Sequence, residues 1–539
     1  MNIVCASLLA ISFAGSAVAA PDDNAAIRQY LGLSGFGRQT VKVEPDSSIR
    51  GRVFVHIDLG QGATRLVLDE YSVRAPGFEM VVHDDAGPGK VQPPPISTYR
   101  GFDPATGAVV AASIIDGRVS AAVRPDDGEP IFVQPVADAI PGASAADSVV
   151  YTASDVIDGG WRCAADMACE DCGASVSNRG PGGACLRAVE VLFDTDYPFF
   201  QLHSSAATTV TDIENVVNQC DIIYRRDAGI SWTIRQINVR TTADDPYADL
   251  PLVSVDPGTI LGRLGSVWSG TPTPARDVLH LMTGRDLAGS TIGIAYVGVV
   301  CRSPNTGVSQ SLFTSNLSMR TILTAHEVGH NFGSNHDASG NFIMAPSVSP
   351  SNQLVFSPGS IAAIASYVGG NGSCLTTGAP TAAADAASAT APQFVLVDVL
   401  ANDAAACGNA LTLSLPSSTS VSGGAVSISN GTGPGGRNQV RYTPPAGVPS
   451  GGINDSFTYR ITEASSGGIA IGSVSVAVSG IPQSCPSDFN ASGAVSVQDI
   501  FDFLAAYFAG DPRANINGTG GITVQDLFQF LAIYFTPCP

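Results

Sequence analysis

Residues 324–337 read TAHEVGHNFGSNHD and contain the spacing H-E-x-x-H-x-x-G-x-x-H. On a helix, His326 and His330 are four residues apart and project from one face, so both imidazoles can reach one zinc ion. Gly333 can adopt backbone conformations that a residue with a Cβ avoids, so it can end the helix and direct His336 back as a third ligand. Three imidazoles leave one coordination position open, which is typical of catalytic rather than structural zinc.

Glu327 follows the first of these histidines and is the predicted general base. A zinc ion polarises a peptide carbonyl, while Glu327 can accept a proton from water and return it to the leaving amine. A lone histidine on a helix face is more often a core or surface residue than a metal ligand. Here three of the seven histidines of the chain lie within one short segment, together with the Glu and Gly that the mechanism needs. The sequence therefore predicts zinc-dependent hydrolysis of internal peptide bonds.

The same segment resembles the metzincin proteases, and Asp337 after the third histidine resembles the reprolysin or adamalysin branch of that family. FIMAP at residues 342–346 is similar to the Met-turn of the family, which implies that Met344 forms an apolar floor beneath the zinc ion. The resemblance implies an α/β catalytic domain with a mixed sheet and an active-site helix, polypeptide substrates, and a structural role for Gly333 at the turn.

Two further segments extend this resemblance. TIGIAYVGVVC at residues 291–301 is similar to the edge-strand segment of the family, and FSPGSIAAIASYV at residues 356–368 resembles its final helix. A disulfide joins these regions in the family, which implies that Cys301 pairs with Cys374. Such a cross-link restricts the unfolded ensemble.

The N-terminal sequence indicates a protein that leaves the cytoplasm. An apolar run at residues 3–14 is followed by Ala17, Val18 and Ala19, which is typical of a secretory signal removed after Ala19. No later run offers about 20 uninterrupted apolar residues, so we expect no transmembrane segment and a secreted, extracellular or cell-surface protein. The net charge is −20, without clusters of Lys and Arg, which argues against nucleic acid as a partner.

Length and pattern predict a multidomain chain of 539 residues. Short alternating strands indicate a β-rich N-terminal region, strands alternating with helices indicate an α/β domain, and a stretch rich in Pro, Ala and Thr marks a linker. The predicted segments are a signal peptide (1–19), a propeptide-like β-rich region with a Cys-rich connecting segment (20–185), the catalytic domain (186–376), the linker (377–392), a β-sandwich (393–480) and a small α-helical module (481–539).

The β-rich region resembles a reprolysin propeptide through TYRGFDPATGAVVAASIIDGRVSAAV at residues 98–123, which implies a zymogen. An ordinary β domain is the alternative, because the strand pattern alone names no role. Such propeptides can place a cysteine thiolate on the open position of the zinc ion, and Cys163 is the candidate for this cysteine switch. The alternative, which an oxidising compartment favours, is a pair of disulfides among Cys163, Cys169, Cys172 and Cys185. Cys220 and Cys407 have no evident partner in the sequence.

The region after the linker resembles the cadherin-like or immunoglobulin-like repeats of bacterial surface proteins. The segments that carry the resemblance are DVLAND (398–403), YTPP (442–445) and DSFTYRI (455–461). None of them contains a set of residues that suggests chemistry, so we expect a spacer or adhesion role.

The last segment contains an internal repeat, because VQDIFDFLAAY at 497–507 recurs as VQDLFQFLAIY at 524–534. The loops before the two copies resemble dockerin-like calcium loops of the EF-hand type, and the module is a candidate site for a cell-surface or protein partner. Because carboxylates are few, we expect only weak calcium binding. Cys485 could pair with Cys538 across the module. The predicted calcium ligands are Asp488, Asn490, Ser492 and Asp499 in the first loop and Asn515, Asn517, Thr519 and Asp526 in the second.

A surface or adhesion protein with a vestigial protease domain is the alternative function, suggested by the degenerate C-terminal loops. Glu327 discriminates between the two functions, because an inactive relative would often have lost the general base. Glu327 is present, so the sequence favours a secreted zinc endopeptidase.

Overall fold

The structure is a computed structural model in which the chain forms two compact units. The first contains the described residues up to Ala384 together with Leu400–Ser414 and Arg460–Gly472, and the second contains Asp385–Val399, Leu415–Tyr459 and the described residues from Ser473 onward. The structure describes residues 23–46, 51–60, 62–104, 106–125, 128–164, 185–203, 205–269, 276–338, 341–378, 380–407, 410–446, 448–449, 451–463, 469–480, 486–490 and 495–535. The predicted signal peptide and the cysteines Cys169 and Cys172 lie outside these ranges.

Among the described residues between 23 and 152, the N-terminal region contains one α-helix and eleven short strands. They are α1 (Asp23–Leu31), β1 (Gly37–Thr40), β2 (Lys42–Pro45), β3 (Arg52–Asp58), β4 (Ala63–Glu70), β5 (Arg74–Asp84), β6 (Gly87–Val91), β7 (Thr98–Phe102), β8 (Val109–Ile115), β9 (Arg118–Arg124), β10 (Ile131–Pro135) and β11 (Asp147–Thr152). Nine of the strands form an antiparallel sheet in the order β1-β11-β10-β9-β8-β7-β4-β3-β2. The tight connection from β8 to β9 is Asp116–Gly117, where both residues have positive φ (51° and 78°), as a two-residue hairpin turn requires.

The central domain alternates strands with helices, as the sequence predicts. Its elements are β12 (Trp161–Cys163), β13 (Arg187–Thr195), α2 (Tyr197–Gln201), α3 (Ala206–Ala228), β14 (Ile230–Arg240), α4 (Pro257–Val267), β15 (Val278–Met282), β16 (Thr291–Ala295), β17 (Thr306–Ser309), α5 (Leu317–Asn331), β18 (Ser347–Val348), α6 (Pro358–Asn371) and β19 (Thr376–Thr377). Strands β14, β13, β15 and β17 are parallel, while β16 is antiparallel to β17, so the sheet is mixed. Every residue of β15 is buried, as expected where helices cover both faces of a parallel sheet.

Strands β5 and β6 of the N-terminal region and β12, which comes from the predicted Cys-rich connecting segment, belong to this central sheet, whose order is β18-β12-β16-β17-β15-β13-β14-β5-β6. At one end β5 pairs in parallel with β14, and at the other β12 lies between β16 and β18. The sequence pattern does not reveal these pairings, because the backbone groups of an edge strand can accept any extended segment. The segment boundary predicted at residue 185 therefore divides two stretches of chain that share one sheet.

Helix α3 buries polar side chains against the N-terminal sheet. Asn218 Nδ2 donates to Ala112 O at 3.0 Å, and Gln219 Nε2 donates to Ala111 O at 3.0 Å. Arg100 Nη2 lies 2.8 Å from the fully buried carboxylate of Asp221. Because buried polar groups need partners, these contacts determine how α3 lies on the sheet.

Gln134 in β10 connects the N-terminal region to the first turn of α5. Its side chain is buried, its Nε2 donates to Ser315 O at 3.0 Å, and its Oε1 accepts the Leu317 N–H at 2.9 Å. The Tyr151 hydroxyl donates to the same Oε1. The first N–H groups of a helix have no acceptor within the helix, so Gln134 satisfies one that would otherwise stay unpaired.

Replacing Gln134 with Leu should lower the free energy of unfolding by about 2–4 kcal/mol, because the Leu317 N–H and the Tyr151 hydroxyl would be left buried without an acceptor. Equilibrium denaturation of the full chain measures this change. Gln39→Leu is the matched control, since Gln39 also makes two hydrogen bonds, both with exposed groups of Asp58. Equal losses in the two variants would contradict the capping role of Gln134.

The strands that follow the central domain form two sheets, and the first of these strands lies within the stretch predicted as a linker (377–392). They are β20 (Asp385–Thr390), β21 (Val395–Val397), β22 (Leu411–Ser414), β23 (Ala425–Ser429), β24 (Gln439–Thr443), β25 (Ile453–Glu463) and β26 (Ile469–Ser479). The orders are β20-β26-β25-β22 and β21-β24-β23. Two sheets of this size are what a β-sandwich requires.

The internal repeat folds as two helices, α7 (Val497–Ala509) and α8 (Val524–Tyr534). Phe503 and Phe530 occupy equivalent positions in the two copies, and their fully buried rings stack with centroids 4.1 Å apart. The predicted pair Cys485 and Cys538 lies outside the described residues. Within the described part of the chain, no helix is long and apolar enough to cross a membrane.

Candidate metal centre

Helix α5 places two of the predicted ligands inside the protein. Every residue of α5 is buried, and the Asn316 side chain caps its N-terminus by accepting the Ser318 and Met319 N–H groups. After Asn331 the chain turns at Gly333, which has a φ of +83°. A Cβ at this position would also contact the Tyr367 ring at 3.0–3.2 Å. Only glycine adopts this positive φ and also leaves room for the Tyr367 ring without strain. The turn at Gly333 brings His336 back to the helix.

The three histidines converge through their Nε2 atoms. The separations are 3.1 Å between His326 and His330, 3.2 Å between His326 and His336, and 3.3 Å between His330 and His336. Three nitrogens about 2.0–2.1 Å from a tetrahedral zinc ion would lie about 3.3 Å from one another, so this triangle fits zinc.

Two backbone carbonyls orient the imidazoles. His326 donates from Nδ1 to Ile343 O at 2.7 Å, and His330 donates from Nδ1 to Ser334 O at 2.7 Å. A proton on Nδ1 leaves the lone pair of Nε2 free to bind a metal. Burial, together with the neighbouring imidazole of His330, holds the pKa of His326 well below its ordinary value, so His326 is neutral.

Glu327 lies beside the triangle with both carboxylate oxygens buried. Burial raises the pKa of Glu327 to about 8, and the nearby Cys163 thiol opposes this shift. The carboxylate packs against Gly293 in β16, where a Cβ would overlap Glu327 and Leu323. The edge strand can approach the helix this closely only because position 293 has no side chain.

The segment that contains Met344 packs against helix α5. Met344 is fully buried, and a Cβ at Gly329 would overlap its sulfur. The Asp337 N–H donates to Met344 O at 2.8 Å, and the Asp337 carboxylate accepts from the hydroxyls of Ser357 and Ser360 at 2.6 and 2.9 Å. Asp337 thereby ties the Met-turn to helix α6.

Cys163 lies with the three histidines. Its Sγ is 3.8 Å from His330 Nε2, and the four ligand atoms lie within 4.8 Å of one another. Strand β12 exposes Arg162 and buries Cys163, as alternation along a strand requires.

The disulfides differ in part from the sequence expectations. Two disulfides within the group Cys163, Cys169, Cys172 and Cys185 are ruled out, because Cys185 pairs with Cys407 and the Cys163 thiol is at the metal centre. The partner of Cys185 is 222 residues away in the sequence, so the spacing of the neighbouring cysteines does not predict this pair. The second disulfide joins Cys301 and Cys374, the pair that the family resemblance implies. Cys220 is buried in α3 with its thiol 3.7 Å from Thr321 O.

Two acidic residues of the predicted calcium loops accept hydrogen bonds from backbone N–H groups. Asp499 accepts the N–H groups of Asn490 and Ser496, and Asp526 accepts those of Asn517 and Thr523 at equivalent positions. Both carboxylates therefore serve as helix capping groups. Asp488, Asn515 and Thr519 lie in the same loops, Ser492 is outside the described residues, and calcium binding stays a prediction.

Helix α5, the three imidazoles and the adjacent carboxylate define a metallopeptidase-like domain. Residues 186–357 match the reprolysin family model described as "Metallo-peptidase family M12", and residues 377–477 match the model described as "Bacterial Ig domain". The chain therefore combines a sheet-rich N-terminal region, a metallopeptidase-like domain and an immunoglobulin-like domain.

Known proteins resemble parts of this chain. It is 30% identical over 156 residues to "Zinc metalloproteinase-disintegrin-like atrase-A" of Naja atra, an overlap of 28% of this chain and 24% of that protein. It is 30% identical over 141 residues to "Zinc metalloproteinase-disintegrin-like" of Cerberus rynchops, covering 25% and 21%. The chain thus spans less than a quarter of the length of each of these relatives.

A solved structure, "Crystal Structure of metalloproteinase-II from Bacteroides fragilis", aligns with 58% of this chain and 90% of its own length. The TM-score is 0.36 at 11% identity, which is too low to carry an argument.

Sequence reasoning did not single out Gly293 or Gly329, although each makes room for a residue of the site. Gly329 lies inside the histidine motif, where helical spacing alone could have placed it toward the floor. The role of Gly293 could not be predicted from the sequence, because the contact between β16 and α5 joins residues that are distant in the sequence.

Gly293→Ala should lower turnover about 10- to 100-fold, or about 1.4–2.7 kcal/mol, without loss of zinc, because the added Cβ displaces the Glu327 carboxylate but touches no histidine. Peptide turnover and metal content are measured on the same preparation. Gly262→Ala in α4 is the control, since a Cβ there meets nothing within 4 Å. Full turnover in Gly293→Ala would mean that the position of the carboxylate does not limit the reaction.

Proposed function

We propose that the protein is a secreted zinc-dependent endopeptidase that hydrolyses internal bonds of polypeptides. The convergence of the Nε2 atoms of His326, His330 and His336 beside a buried carboxylate carries the proposal. These three residues would hold a zinc ion, which would polarise the substrate carbonyl and make water more acidic.

The residues of the chain have distinct tasks in this reaction. The carboxylate of Glu327 takes a proton from water and delivers it to the departing amine, so it acts first as base and then as acid. The carbonyls of Ile343 and Ser334 keep the imidazoles oriented while charge moves through the site. Met344 and the buried surroundings of α5 exclude bulk water from the floor, which strengthens the electrostatic interactions within it.

The full chain is a latent form in this proposal. The support is the position of Cys163, whose sulfur lies within 4.8 Å of the Nε2 atoms of all three histidines. For a tetrahedral zinc ion the expected separation between a thiolate sulfur and an imidazole nitrogen is about 3.6 Å, close to the 3.8 Å between Cys163 Sγ and His330 Nε2. A thiolate there would keep water away from the position that hydrolysis needs.

The alternative, a surface or adhesion protein with a vestigial protease domain, is less consistent with these observations. All three histidines, Glu327 and the glycine at the turn are present and arranged for chemistry. The immunoglobulin-like domain is compatible with either function, so it favours neither.

Glu327→Gln should keep zinc and abolish hydrolysis, because the three ligands are untouched while the proton acceptor is gone. Turnover of an unbiased peptide library, with and without a chelator, is compared with metal content, and both the variant and the original chain carry Cys163→Ser so that neither is latent. If turnover stays within about tenfold of the original chain, an effect below about 1.4 kcal/mol, Glu327 is not the general base.

Cys163→Ser should raise the hydrolytic activity of the full chain at least about tenfold, because a hydroxyl is a much weaker zinc ligand than a thiolate. In the cobalt-substituted protein, the sulfur-to-cobalt charge-transfer absorption should disappear in the same variant. Cys220→Ser is the matched control, since Cys220 is also a buried cysteine but packs against Thr321. A chain that stays latent and keeps this absorption after Cys163→Ser would rule out the switch.

A further inference from the structure

Strand β12 lies as an extended peptide across the metal centre. Its Trp161 pairs with Val348 of β18 on one side, and its Arg162 pairs with Thr291 of β16 on the other. The Cys163 N–H donates to Pro346 O at 3.3 Å, and the next N–H, of Ala164, donates to Gly293 O at 3.0 Å. A polypeptide that added a strand between the same two backbone edges would bring its backbone to the same histidines. Strand β12 therefore provides a pattern for how a substrate would lie.

Trp161 and Cys163 point to the same side of this path. Side chains two residues apart share one face of a strand and are separated by about 6.6 Å. Arg162 between them is exposed, while Trp161 is partly buried. The Trp161 side chain therefore points into the protein two residues before Cys163, which lies at the metal centre.

Phe313 receives this side chain. The two rings meet edge to face, with centroids 4.7 Å apart and an interplanar angle of 79°. Val348 lies directly across the strand pair from Trp161, so its side chain forms the neighbouring wall. Edge-to-face contact is the favoured geometry of an aromatic pair and is not available to an aliphatic side chain.

The element that carries Phe313 is held in place before any peptide binds. Phe313 ends a short 3-10 helix, Ser311–Phe313, and its N–H donates to Gln310 O at 3.0 Å. Arg320 in α5 donates from Nε to Ser311 O at 2.9 Å, and its guanidinium pairs with Asp212 of α3. This wall is therefore preorganised by the same helix that carries the histidines.

We propose that Phe313 and Val348 form a substrate subsite for a large aromatic side chain, and that Trp161 occupies it in the latent chain. The substrates would be polypeptides that carry Phe, Tyr or Trp two residues away from the residue at the metal centre. This aromatic residue would lie toward Phe313, as Trp161 does. This inference rests on the proposed peptidase function and adds the feature of the substrate that is recognised.

The test uses the full chain with Cys163→Ser and Trp161→Ala, so that neither side chain occupies its site, and a peptide library randomised around the cleavage point. We expect aromatic residues to be enriched at one position. In the Phe313→Ala version, kcat/KM for an aromatic peptide should fall about tenfold toward that of the matched alanine peptide. Phe313→Leu should lose most of the preference as well, because it keeps bulk but not the ring.

Leu312→Ala is the control for local disturbance, since Leu312 lies in the same short helix and also packs against the core. It should retain the aromatic preference. Absence of hydrolysis in every zinc-loaded variant would overturn the peptidase function itself. Hydrolysis without an aromatic preference, or with a preference that Phe313→Ala leaves intact, would overturn the subsite alone.

Discussion

The metal centre depends on two backbone carbonyls that hold imidazoles in place. Ile343 O fixes His326 and Ser334 O fixes His330, and neither carbonyl belongs to the helix that carries these rings. An imidazole rotates about its side-chain bonds, so helical spacing alone does not make three Nε2 atoms converge. Two segments after α5 must therefore approach it closely, and Gly329 and Gly333 allow this because a Cβ at either position would meet a neighbour.

The N-terminal region takes part in the architecture of the catalytic unit as well as in its proposed latency. It supplies β5 and β6 at one end of the central sheet, β12 beside the histidines, and the Gln134 acceptor at the start of α5. The interface is partly polar, with Asn218 and Gln219 of α3 bonded to backbone carbonyls of the N-terminal sheet. The contacts of β12 with β16 and β18 are therefore separate from the contacts that hold the N-terminal sheet on α3.

Sequence reasoning reached furthest where the candidate residues are neighbours in the chain. The predicted zinc ligands, the predicted base and the turn glycine lie within one short segment, so their spacing on a helix predicted that their side chains would lie together. The disulfide between Cys301 and Cys374 came from family resemblance rather than from geometry. The prediction for Cys185 was wrong, because proximity in the sequence pointed to Cys163, Cys169 and Cys172, while folding brought Cys407 to it.

By itself, the sequence determined the α/β alternation of the central domain and the identity of the residues that can bind zinc, because periodicity and motif spacing are properties of neighbouring residues. Only the tertiary structure decided which strands share a sheet, that Gly293 makes room for Glu327, that Cys163 lies with the three histidines and that Trp161 packs against Phe313. These features are contacts between residues distant in the sequence. Such contacts depend on how edge strands pair and on how closely backbones approach each other, and local sequence patterns predict neither.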